Sequence, residues 1–295
     1  MKIASTVDQQ ITLLRQRGML IEDEEKAKEI LLDVGYYRLG FYWFPFEVTY
    51  PELRRRTHQF VEGASFREAT DLYYLDTEIR NLLAPYLYRI EVNLRTFLIY
   101  IVSNHYHDNP TWFADPRAVR GDYVKQFDTV YEHVKRNETI ARHHRKYPND
   151  RYAPAWKTLE SMTFGDILIL SQNLKEESLR KQLAAHYGLR NMDVFWNWMN
   201  TIRVVRNLCA HGHNLYDLRL QKSIKKGPLG DSIKSEMLHT LQGVLCVVFY
   251  LLQQVSVNRQ VELRAHLRQL LLRPEVNSVR GALSYLKEML CSSLK

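Results

Sequence analysis

Between Leu87 and Ile101 the apolar residues Leu87, Ile90, Leu94, Phe97, Leu98 and Ile101 recur at three- and four-residue steps. That is the period of a helix burying one face, because successive helical residues turn by about 100°. The same spacing links Phe195, Trp198, Met199, Ile202 and Val205, and residues 235–255 read as a long, largely apolar and therefore buried helix. Turn punctuation agrees: 12 glycines and 9 prolines in 295 residues are too few for the reversals an all-β chain of this size needs. The expected fold class is all-α.

Along the chain the signals sort as follows. Ser5 or Thr6 caps a first helix, and Asp23 opens a second with an acidic first turn. The densest aromatic stretch, Tyr36 to Phe46, is too apolar to face water throughout and is expected to wedge between helices. A strongly helical pattern runs from Phe66 to Tyr106, with a kink or break expected at Pro85. A basic, histidine-rich helix is expected from Asp122 to about Arg145. Short helices follow, with Thr163 as a break and cap, and then one helix from Asn191 to His213. Two further amphipathic helices are expected at the C-terminal end. The organisation read from this is an N-terminal helical and aromatic subdomain over residues 1–60 and a helical domain over residues 61–295.

Lys and Arg total 41 against 33 Asp and Glu, a formal charge of +8 that favours a polyanionic partner. Three scattered cysteines, Cys209, Cys246 and Cys291, fit a reducing cytosol, and no Cys/His cluster has zinc-site spacing. No signal-peptide core or membrane-length apolar run is present, so the expectation is a soluble cytoplasmic protein needing no cofactor or metal.

The segment Arg203-Val204-Val205-Arg206-Asn207-Leu208-Cys209-Ala210-His211 carries the chemistry. On a helix Arg203, Asn207, Ala210, His211 and Asn214 share a stripe that Arg206 borders, opposite the apolar anchor. RNA cleavage without a metal needs a proton-transfer group near neutral pH, which histidine supplies. It also needs a donor fork for the charge growing on the phosphoryl oxygens, which arginine supplies. Asn207 has both donors and acceptors with which to fix the histidine or a phosphate oxygen. The motif contains no carboxylate, so it does not suggest a metal-bound nuclease centre. The bland alternative is that His211 merely caps its helix while Arg206 forms a salt bridge.

Three stretches together resemble the Abi-like abortive-infection family of the AbiD and AbiF type: Gly35-Tyr36-Tyr37-Arg38-Leu39 with Tyr42-Trp43-Phe44-Pro45-Phe46; Leu72-Tyr73-Tyr74-Leu75-Asp76 leading to Arg89-Ile90-Glu91-Val92-Asn93-Leu94-Arg95; and Arg206-Asn207-Leu208-Cys209-Ala210-His211. The resemblance implies a bundle of the HEPN all-α superfamily and a metal-independent endoribonuclease whose site is built from two protomers. It assigns catalysis to Arg206, Asn207 and His211, with Glu91 and Arg95 in support, and Arg203 on the polar stripe is a further supporting candidate. It also implies a toxin of antiphage defence, restrained in some members by a small noncoding RNA. Asn214 and Asp217 depart from the arginine and asparagine that often follow the family's histidine. His213 stands where a related toxin branch has tyrosine, which argues against that branch.

Other candidates rank lower. Arg136-Asn137 with His143 repeats the arginine-asparagine-histidine order in a highly charged segment, where Arg142, His143, Arg145 and Lys146 form a candidate RNA-binding strip. Tyr36, Tyr37 and Trp43 can stack on bases, although core packing is the commoner use of such rings. His105 and His107 beside Asp108 lack a fourth metal ligand. The rival to the nuclease reading is a non-catalytic RNA-binding or assembly module of a defence system.

Overall fold

The structure, a computed structural model, describes residues 3–273. Among these the fold is all-α. Extended backbone pairs only at isolated bridges, Leu20 with Ser65, Glu47 with Phe60 and Val119 with Leu174. No helix of the described residues is long and apolar enough to cross a membrane. The chain divides into two units. Among the described residues one comprises the chain up to Leu82, Gly212–Leu218 and residues 263–273; the other comprises Leu83–His211 and Arg219–Glu262.

The first unit opens with α1 (Val7–Gln16) and α2 (Glu24–Asp33). The caps are those the sequence signals: Thr6 and Gln9 form a reciprocal capping box, and the Asp23 carboxylate accepts from the Lys26 N–H. The aromatic stretch becomes α3 (Tyr36–Trp43) and a 3-10 turn, Phe44–Phe46. Ile11, Leu14, Ala27, Leu31, Leu39, Trp43, Phe46 and Phe60 fill one core. The residues beyond Trp43 return to it because Leu20 donates to the Ala64 carbonyl and Phe66 to that of Leu20.

The long helix α4 (Phe66–His105) runs through Pro85 without a break, where a kink or a break was expected. Proline removes one hydrogen bond, to the carbonyl four residues back. Here both Pro85 and Asn81 are exposed, so the freed carbonyl meets water, while Leu83 and Leu87 stay buried.

In the second unit the basic stretch is two helices, α5 (Gly121–Val134) and α6 (Glu138–Lys146), rather than one. The reason is Asn137: its side chain accepts from the Thr139 N–H and starts a new helix. After α7 (Ala155–Thr158) come α8 (Phe164–Gln172), capped by Thr163 and Asp166 reciprocally, and α9 (Glu177–His186). Next is α10 (Met192–Ala210), which packs on α8, α9 and α11 (Leu241–Val255). Phe195, Trp198, Met199, Ile202 and Val205 of α10 are fully buried, each contributing about 1.5–3 kcal/mol relative to exposure. The apolar C-terminal stretch becomes α-helical only at Leu241. Before it Ser235–Met237 forms a 3-10 turn, and the Leu238 and His239 carbonyls accept from Ile224 and Leu220, which ties that segment to a neighbouring loop instead of continuing the helix. The last described helix, α12 (Val257–Leu271), is one of the two expected; the other lies outside the described residues.

Candidate functional site

The end of α10 sets the geometry of its polar residues. Asn191 caps the N-terminus, accepting from the Asp193 and Val194 N–H groups. At the other end His211 is the C-cap, and its N–H donates to the Asn207 carbonyl at 2.9 Å. Gly212 then takes a φ of +67°, which stops the helix short of His213. Asn214 is therefore off the helix and not part of the expected stripe. His211 is exposed, and no hydrogen bond or ion pair holds its imidazole among the described residues. Asn207 and Arg206 touch: Arg206 Nη1 donates to Asn207 Oδ1 at 3.1 Å. Arg203 is half-buried and bonds Asn200 Oδ1 through Nε at 3.1 Å and Nη2 at 2.9 Å.

The carboxylate that the motif lacks comes from α4. Glu91 is 2% exposed and lies between two guanidinium groups. Its Oε1 accepts from Arg95 Nη2 at 2.9 Å, and its Oε2 stands 3.0 Å from Arg206 Nε, an ion pair not aligned as a hydrogen bond. Arg95 is anchored further by donating to the carbonyls of Glu160 at 3.2 Å and Met162 at 3.0 Å. Two guanidiniums share the Glu91 carboxylate, and the exposed Glu160 carboxylate stands a further 3.8 Å from Arg95 Nη1, so the second negative charge falls on the Arg95 side. The Arg206 side chain, 35% exposed, is the member that reaches solvent. The arrangement can hold a cation in place for an anion approaching α10. Glu91 thus meets the motif directly and Arg95 through Glu91, whereas Arg203, on the same helix, bonds Asn200.

The α6 strip is not brought together as one surface. Arg142, Arg145 and Lys146 are exposed, and Arg145 pairs with Glu138 at 2.6 Å. His143 turns inward, 5% exposed, with Nε2 at 3.1 Å from Asp150 Oδ2 and Nδ1 at 3.4 Å from Lys157 Nζ. Burial, reinforced by the Lys157 charge, pushes its pKa down. It packs inward and does not join the exposed strip. Arg136 and Asn137 sit in the turn between α5 and α6.

The first unit also holds a buried polar network that no motif in the sequence marks. Asp76 is fully buried beside Arg80; the two are ion-paired through Arg80 Nη1. The Asp76 carboxylate accepts from the Tyr42 hydroxyl at 2.8 Å, the Tyr216 N–H at 2.8 Å and the Leu215 N–H at 3.1 Å. Arg80 also donates to the His213 carbonyl at 3.3 Å. Burial and the adjacent carboxylate push the Tyr42 hydroxyl pKa up, which keeps it a donor. This network fixes the backbone that leaves α10. Its sequence signal was an acid among Leu72, Ile79 and Leu83 on an apolar helical face with arginine four residues on.

Fold and site define an all-α protein whose arginine-asparagine-histidine helix end is braced by a buried carboxylate. The chain matches the Abi-like protein family over residues 29–217, more than half its length, and belongs to that family. The match spans α3, α4, α10 and the clamped segment that follows it in the chain. Comparison with curated proteins and with solved structures gives no match.

Proposed function

We propose that this protein is an abortive-infection effector that cuts cytoplasmic RNA by promoting attack of a ribose 2′-hydroxyl on its neighbouring phosphate. Membership of the Abi-like family supports the defence role. One observation carries the chemistry: Arg206 is braced by buried Glu91 while an exposed, uncommitted His211 ends the same helix. Arg206 neutralises the phosphoryl oxygens, His211 moves the protons and Asn207 holds Arg206 in line.

Five residues on a helix separate two side chains by about 140° around the axis and about 7.5 Å along it. Arg206 and His211 of one chain thus diverge. A second copy presenting the same helix end would set the arginine of one protomer beside the histidine of the other, so the active species in this reading is a homodimer. A small noncoding RNA that covers the same basic surface would restrain it.

The test is RNA incubated in EDTA with wild type, His211→Ala and Arg206→Ala. Wild type cuts, and both variants lose cleavage. Tight, salt-sensitive RNA binding by wild type with no product would overturn catalysis in favour of a binding module.

A further inference from the structure

Helix α3 sorts neighbouring aromatic residues onto two faces. Tyr42 and Trp43 are buried, and Tyr36 packs edge-on against Trp43 with ring centroids 4.9 Å apart. On the other side Tyr37 is 84% exposed and Phe41, one turn later, 47%. These two rings meet edge to face, 5.8 Å apart at 85°, so each limits the other's motion and together they present a fixed apolar step to water.

Arg38 flanks the pair. On a helix it lies about 100° from Tyr37 and about 60° from Phe41, on the same broad face. It is exposed, and its Nη1 donates to the Gly212 carbonyl at 3.1 Å. Nε and Nη2 have no partner among the described residues, so one nitrogen anchors this exposed guanidinium and the others are left to donate. Gly212 is joined to His211 by a peptide bond.

We propose that Tyr37, Arg38 and Phe41 form a stacking platform for unpaired bases of an RNA strand, with the free N–H groups of Arg38 on its backbone phosphate. This rests on the RNA-cleaving reading and names a place where the substrate strand is held. The chemistry favours a nucleic acid over a protein. Two exposed rings with a cation beside them match a π-face joined to an anion, and the chain's charge of +8 complements a polyanion. A duplex keeps its base faces stacked on each other, so the ligand is single-stranded.

The test uses the full chain carrying His211→Ala to prevent cleavage, titrated into a short fluorescent RNA either single-stranded or annealed to its complement. Tyr37→Ala and Phe41→Ala each weaken single-strand binding about tenfold, while Tyr37→Trp retains it. Arg38→Gln lowers the slope of log affinity against log salt by about 0.7. Duplex binding stays unchanged in all of them. Unaltered single-strand affinity in Tyr37→Ala would overturn the platform and leave the nuclease reading standing wherever wild type still cuts. Absence of both RNA binding and cleavage would remove that reading and the platform with it. Conversion of a dimer to monomers by Tyr37→Ala, with RNA affinity intact, would show a self-association face and also overturn the proposal.

Discussion

Replacing Glu91 by glutamine keeps the side chain's shape and removes the charge that two guanidiniums share. The glutamine amide keeps one acceptor oxygen for one guanidinium and turns its NH2 donors toward the other. On the Arg95 side both partners are buried, 8% and 2% exposed, and 2.9 Å apart. Stranding a buried charge costs about 3–5 kcal/mol, and the lower end applies because Arg95 keeps the carbonyls of Glu160 and Met162. On the Arg206 side one partner is 35% exposed, so solvent screens the pair and its share is no more than about 1 kcal/mol. Urea denaturation of Glu91→Gln, Arg95→Met, Arg206→Met and the two double variants, at unchanged m-value, measures both couplings. The Glu91–Arg95 coupling should exceed the Glu91–Arg206 coupling by about 1–2 kcal/mol, given the difference between buried and half-exposed pairs. Cleavage should fall in every variant that loosens Arg206. Equal couplings, or a loss below about 1 kcal/mol in Glu91→Gln, would refute the picture of a carboxylate buried between a structural and a functional arginine.

Three other outcomes follow from the same structure. Asp76→Ala should speed amide exchange at Leu215 and Tyr216 by about tenfold or more, because each N–H loses a charged acceptor; unchanged protection at both would contradict the clamp. Gly212→Ala should lose about 1–2 kcal/mol of unfolding free energy, since φ is +67° and the added carbon would sit 3.0 Å from Arg38 Nη1; a neutral or stabilising result would argue against that turn. His186 lies flat on Phe97, centroids 3.9 Å apart, and burial pushes its pKa down. The folded chain thus binds a proton less readily than the unfolded one, so the stabilisation is full above about pH 6.5 and is lost as pH falls through that value toward the lower folded pKa. The stability gap between wild type and His186→Leu should narrow from pH 8 to pH 5.5, and a gap that widens would contradict the half-buried, stacked ring.

Much of the fold was legible because its signals are local. Thr6, Asp23, Thr163 and Asn191 cap the helices their side chains suggest, and the apolar face of α10 follows from spacing alone. The misreadings arose where a local rule met a longer-range contact or a competing side chain. Pro85 is tolerated because its orphaned carbonyl is exposed, and Asn137 splits a charged helix by capping a new one. The candidate site was legible as residue types, not as a circuit. Asp76 reaches Leu215 and Tyr216 across some 140 positions, and nothing near Asp76 in sequence announces those partners. Glu91 and Arg206 lie far apart in the chain too, and were paired beforehand only through the family resemblance. Likewise, which of Tyr36 and Tyr37 faces water is decided by the path of α3, not by their identical side chains.

The central claim is a chemical step, so the ends left on cut RNA test it most directly. Attack by a 2′-hydroxyl leaves a 2′,3′-cyclic phosphate and a 5′-hydroxyl, and it stops when the ribose at the cut position is replaced by deoxyribose. Mass spectrometry of products formed with EDTA present should find those ends from wild type and none from His211→Ala. Ends bearing a 3′-hydroxyl and a 5′-phosphate, or the same products from the alanine variant, would contradict the assignment of Arg206 and His211.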